Sequence, residues 1–154
     1  MSRTRTLTLV LAASTLAASG CGSSQSSGSS LSKAELIARA DSICRRVNTM
    51  RRTVVVGVGN FQNGYATLLP PLVAYERSAL VEFEKLTPPA SLAADWKLIV
   101  ENFRILVDDN AKTAEYGKKG NFKGLEELNT PNNRATGQIV VLARNDGFGD
   151  CTRI

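Results

Sequence analysis

The side chains able to do chemistry are few in this chain, and their spacing limits what each can do. No histidine occurs in the 154 residues. That removes Ser-His-Asp and Cys-His catalysis, imidazole-based zinc sites and His-ligated haem. Two adjacent carboxylate pairs are present, Asp108-Asp109 and Glu126-Glu127. Neighbours on a helix point about 100° apart, so neither pair turns both carboxylates toward one substrate. A solvated helix face accounts for each. A di-metal carboxylate bundle needs Glu-x-x-His on facing helices, so no metal or other cofactor is expected. The glycine-rich stretches at 57–64 and 117–120 lack the spacing of a dinucleotide or Walker loop, and the first follows a helix where those motifs follow a strand. Both read as connectors. The chain is expected not to be an enzyme.

Three cysteines remain. Cys21 follows Arg3 and Arg5, an apolar run from Leu7 to Ala18, and the small residues Ala18-Ser19-Gly20. A run of about a dozen residues suits a signal peptide and is short of the roughly 20 needed to span a membrane. The segment resembles the lipobox of bacterial lipoproteins, with Ala18 standing where leucine is usual. The resemblance implies cleavage after residue 20 and a diacylglyceryl group, with palmitate-type chains, on the Cys21 thiol. An ordinary secretory signal cut nearby, with Cys21 incidental, is the alternative. Residues 22–30 carry no apolar side chain and form a flexible tether about 17 Å in root-mean-square span. Two acyl chains give stable anchoring where one is marginal. The expected location is the cell membrane, on its extracytoplasmic face.

An exported domain with two further cysteines oxidises them, so Cys44 and Cys151 are expected to form a disulfide. A reactive or metal-binding thiol pair is the competing role; no CxxC spacing and no histidine support it.

The elements that must position these groups are helical. Leu31-Ser32-Lys33-Ala34-Glu35-Leu36 has the form of a capping box with a hydrophobic staple. Apolar residues then recur at Leu36, Ala40, Ile43, Val47, Met50, Val54 and Val58, steps of three and four that trace one helical stripe. The valine run at 54–56 also fits a strand, but the stripe continues through it. Further helices are expected at about 70–86, 90–117 and 121–145 after a first at 32–57, the last with a break near residue 130, where Pro131 disfavours helix at Thr130. Asn132, Asn133, Thr136 and Gly137 make the middle of that helix the poorest former in the body. Short connections between long striped helices predict an all-α, antiparallel (up-down-up-down) four-helix bundle with one disulfide. The domain organisation is a signal peptide at 1–20, a lipidated cysteine and tether at 21–30 and the bundle at 31–154.

Charge excludes one class of partner. The formal net charge is +5, but Arg3 and Arg5 belong to the leader and every acidic residue follows it. The remaining excess is scattered, without the basic stripe and interleaved aromatics of a nucleic-acid site. Arg45, Arg46, Arg51 and Arg52 do cluster on the first helix. A solvated face explains them; contact with anionic lipid headgroups or wall polymers is the alternative. Asn110 falls on the apolar stripe of the third helix. A half-exposed polar residue is the simpler reading, and a pocket opened at the Pro131 break and lined by Phe103, Asn110 and Leu128 is the other.

Ala40-Asp41-Ser42-Ile43-Cys44-Arg45-Arg46, Leu86-Thr87-Pro88-Pro89-Ala90 and the lone terminal Cys151 together resemble small actinobacterial envelope lipoproteins of unknown function. The resemblance implies a secreted, helical, one-disulfide domain and supplies no activity. The expected role is a non-catalytic module that meets another envelope protein or a wall polymer. A small-ligand carrier with a pocket in the bundle is the alternative.

Overall fold

The computed structural model describes residues 29–57 and 65–154. Residues 1–28, which hold the expected leader, Cys21 and most of the expected tether, and residues 58–64 lie outside the described residues. Four long helices carry the fold: α1 (Lys33–Gly57), α2 (Leu69–Glu84), α3 (Ala93–Lys119) and α4 (Phe122–Asp146). Short 3-10 turns at Ala90–Leu92 and Cys151–Arg153 precede α3 and close the chain. No strand occurs among the described residues.

Local chemistry sets the helix ends. At the start of α1 the Glu35 amide donates to Ser32 Oγ, and the Ser32 amide and hydroxyl donate back to Glu35 Oε2. This reciprocal cap satisfies donors that the first turn leaves unpaired. The preceding Leu31 amide donates to the Thr87 carbonyl at 2.8 Å, which fixes the start of the domain against the α2–α3 connection. Pro70 and Pro71 sit in the first turn of α2, where no intrahelical donor is needed. The third helix runs two residues beyond the expected 117, because Gly117 stays helical and Gly120, at φ +63°, takes the left-handed cap. Gly147, at φ +91°, does the same for α4.

One expectation about α4 is overturned. The helix does not break near residue 130; it runs unbroken from Phe122 to Asp146 with Pro131 inside it. A proline in a helix interior removes one amide and clashes with the turn before it, at about 3 kcal/mol. Packing of α4 along α3 outweighs that cost: Ala135, Ile139 and Ala143 are all buried on its inner face.

The main core gathers Leu36, Ala40, Ile43, Val47, Phe83 and Trp96 with Phe103 and Ile139. Phe83 meets Trp96 and Phe103 edge-on, with centroids 5.5 and 5.0 Å apart. Phe148, from the tail after α4, closes this cluster against Trp96 at 5.7 Å. A smaller apolar cluster holds Val54, Leu69, Leu72 and Ala114.

Cys44 and Cys151 are joined by a disulfide that closes a 107-residue separation, with Cα atoms 5.0 Å apart. The tail is fastened to one stripe of α1 on either side of it. Asp41 accepts from the amides of Gly149, Asp150 and Cys151, at 3.0, 2.9 and 3.4 Å. Arg45 donates from Nε and Nη2 to Asp150 Oδ2, and Asn48 Nδ2 donates to the Asp150 carbonyl. Positions 41, 44, 45 and 48 follow the i, i+3, i+4, i+7 rhythm of a single helical face.

Candidate functional site

A chain of polar side chains crosses the interior, one member from each long helix. Arg51 of α1 donates from Nε to Glu76 Oε1 of α2 at 2.9 Å, with Nη2 also 2.8 Å from that oxygen. Asn110 of α3 donates from Nδ2 to Glu76 Oε2 at 2.9 Å. Asn132 of α4 donates from Nδ2 to Asn110 Oδ1 at 3.1 Å. Glu76 is 0% exposed. A carboxylate so placed is tolerable only with charge and hydrogen-bond partners, and here both oxygens have them.

The same residues separate the two apolar clusters. Along α1, Val47 belongs to the main core and Val54 to the smaller cluster, with Arg51 between them. Along α2 the order is reversed, with Leu72 in the smaller cluster, then Glu76, then Ala79 in the main core. Along α3, Val107 precedes Asn110 and Ala114 follows it. Each polar residue therefore occupies an inward position by helical spacing, and only mutual pairing lets it stay there.

This polar layer forms a wall of an open cleft. One lobe, about 430 Å³, has apolar sides from Val54, Leu69, Leu72 and Leu106. Arg51, Asn110, Asn132 and Thr136 add its polar surface. A second lobe, about 480 Å³, shares Tyr65, Asn110 and Asn132 with the first and adds Thr113, Glu126, Leu128 and Asn129. The Nη2 of Arg51 is buried against the same Glu76 oxygen, as an ion pair without an aligned hydrogen bond. Close packing also shapes the site: a Cβ added to Gly117 would lie 2.5 Å from Tyr65 Cβ, so glycine is what allows α3 to approach that residue.

The residues singled out in the sequence are distributed unevenly around this cleft. Asn110 lines both lobes and Leu128 one of them. Phe103 does not reach it; the ring is 0% exposed in the main core, packed on Phe83. The cleft forms among the packed helices with α4 continuous, not at a gap in that helix. The arginine cluster is largely neutralised: Arg45 pairs with Asp150, Arg46 with Glu82 and Arg51 with Glu76, while Arg52 is exposed. Asp108 is exposed, but Asp109 is buried, with Oδ1 3.4 Å from Lys112 Nζ and Oδ2 unpartnered, so one half of that pair is not a solvated face. Glu126 and Glu127 are both exposed.

Sequence reasoning missed Glu76. The signal was present, since Leu72, Glu76, Ala79 and Phe83 step by four, three and four along one face. Among the described residues no group of three metal-ligating side chains converges, and no helix is long and apolar enough to cross a membrane. Comparison with known proteins gives no matching family model, no matching curated protein and no matching solved structure.

Proposed function

We propose that this chain is a lipid-anchored, non-catalytic binding domain of the cell envelope, folded as an up-down-up-down four-helix bundle, whose cleft beside Arg51, Asn110 and Asn132 holds a small ligand. The cleft carries the reading: apolar walls with a few convergent polar groups are the usual composition of a small-molecule site. The alternating order of main core, polar layer and smaller cluster along α1, α2 and α3 supports the antiparallel arrangement. The lipobox-like segment ending at Cys21 supports the anchor, and the disulfide fits an oxidising compartment.

The test begins with full-length chain expressed in a bacterium that processes lipoproteins and recovered from its membranes. Mass spectrometry should find the mature N-terminus at Cys21 with a diacylglyceryl adduct. Organic extraction of the folded protein should release a small molecule in near-stoichiometric amount, and a Thr136→Trp variant that fills the first lobe should release none. An unprocessed N-terminus would overturn the anchor, and identical extracts from both proteins would overturn the cleft.

A second reading, contact with another envelope protein or a wall polymer, is favoured by a shallow apolar groove between α3 and α4. Leu98 and Val141 are 45% and 55% exposed there, beside Leu142 and Gly137. Capture of a membrane partner lost on Val141→Asp would support it.

A further inference from the structure

We propose that the cleft takes an uncharged amphiphile, with its hydrocarbon portion in the first lobe and a hydroxylated portion in the second. The inference rests on the cleft being the binding site and specifies what enters it. Charge is the first consideration. Among the described residues the only cation lining either lobe is Arg51, and its charge is already opposed by Glu76 at 2.8 Å. Among the described residues the only anion lining them is Glu126, in the second lobe. An anionic ligand seated on Arg51 therefore meets Glu76 directly behind that guanidinium and Glu126 along the lobe. A cationic one meets Arg51 itself in the first lobe, and in the second its counter-charge, Glu126, is exposed to solvent and not buried with the ligand. Burying an ion without a free counter-charge is costly, whereas an uncharged oxygen can accept from the guanidinium without that penalty.

The two lobes also differ in what they offer. The first is walled by Val54, Leu69, Leu72 and Leu106, which gain by covering hydrocarbon. The second also has apolar lining from Leu125 and Leu128, but it adds Thr113, Glu126 and Asn129 to Asn132. Their capacity is mixed. Asn132 donates its amide to Asn110, which leaves Oδ1 to accept. Asn129 accepts from Asn133 through Oδ1, which leaves its NH2 to donate. A hydroxyl both donates and accepts, so a polyhydroxylated group satisfies neighbouring sites of opposite kind. A carboxylate accepts only.

Three probes of equal chain length separate the possibilities: octyl β-glucoside, 1-octanol and octanoate, each below its micellar concentration at pH 7. Titration of the isotope-labelled oxidised protein would follow the side-chain amide signals of Asn110 and Asn132, with affinities from calorimetry. The glucoside is expected to shift both signals and to bind roughly tenfold or more tightly than octanoate or octanol, the scale set by one good polar contact or one unfavourable charge. Thr136→Trp, checked for native helicity, should lose the response. Octanoate binding as tightly as the glucoside would overturn the uncharged class, and octanol doing so would overturn the hydroxylated half. Either result leaves the cleft itself standing. No amide response to any probe would overturn both the ligand class and the cleft.

Discussion

Glu76 and Asn110 meet across the α2–α3 interface, the amide Nδ2 donating to Oε2 at 2.9 Å while the other carboxylate oxygen holds Arg51. The pair ties α2 to α3 at one register, since a shift of either helix would part the two side chains. A buried ionic group adds little net stability compared with a hydrophobic replacement, but a misaligned one is heavily penalised.

Breaking that layer has a predictable sign. Glu76→Ala leaves Arg51 without its counter-charge and should cost about 3–5 kcal/mol. Replacing both partners, Arg51→Met with Glu76→Leu, should cost far less and bring stability near the parent value or above it. Urea unfolding of the two variants, with unchanged slope, is the measurement. A double variant as weak as the single one would show that the layer stabilises the fold outright.

Reduction of the disulfide should weaken the domain by about 2–5 kcal/mol, with roughly 4–5 kcal/mol as the chain-entropy ceiling for so long a loop. The tail should nevertheless stay docked, because Phe148 is 1% exposed and Asp41 still receives three amides. Denaturation of Cys44→Ala/Cys151→Ala beside the oxidised parent checks the first statement. Limited proteolysis of the tail checks the second.

Asp41→Ala removes the acceptor of those three amides in one step. A loss of about 1–3 kcal/mol is expected from the stranded donors. Amide hydrogen exchange should rise at Gly149 and Asp150 before it rises in α3, since α3 does not depend on Asp41.

Two carboxyl groups give opposite pH responses. Hydrogen bonds from Ser32 hold Glu35 below the ordinary value of 4.5. Its folded form binds the proton less readily than the unfolded chain, so this contribution is present above the unfolded pKa and is lost as pH falls through the folded one. Burial, with Asp95 nearby, pushes Asp146 above its ordinary 3.8. Its ionised form therefore costs stability at neutral pH, and the cost is relieved as pH falls through the raised value. Asp146 is also the last residue of α4, where a negative charge faces the negative end of the helix. Asp146→Asn should stabilise the protein by about 0.5–1 kcal/mol at pH 7 and by less in acid. Thermal unfolding at pH 7 and pH 3 reads the difference.

Gly117→Ala should disturb the cleft more than the helix. Alanine is a better helix former by about 1 kcal/mol, yet its Cβ would lie 2.5 Å from Tyr65 Cβ. The clash should displace Tyr65 and lower the affinity for the octyl glucoside probe, with helical circular dichroism retained.

The apolar stripes made the helices legible, and the same stripes contained the site. Leu36, Ala40, Ile43, Val47 and Val54 are buried as their spacing requires. The Ser32–Glu35 cap is present because its two partners are three residues apart and need no tertiary context. What spacing concealed was the relation between helices. Arg51 lies four residues after Val47, Glu76 four after Leu72 and Asn110 four after Leu106, so each is a polar residue at an inward position. Spacing alone marks Asn110 as a polar residue on an apolar stripe, whereas Arg51 lies within a basic cluster and Glu76 beside Arg77 in a mixed charged segment. A single chain gives no pairing rule between separate helices. Pro131 misled in the other direction: local preference argued for a stop, and burial of Ala135 and Ile139 beyond it decided otherwise.

With the proposed anchor, the bond from the Leu31 amide to the Thr87 carbonyl would give the molecule a loaded end and a quiet one. Tension arriving through the preceding residues enters at Leu31 and is braced by the α2–α3 connection. It then meets the covalent staple at Cys44, about 17 Å along α1 from Lys33. Arg51 lies about 10 Å further on, past that brace. Under the proposed lipid anchor, tugging by the membrane would thus be absorbed before it could pry the walls of the cleft apart.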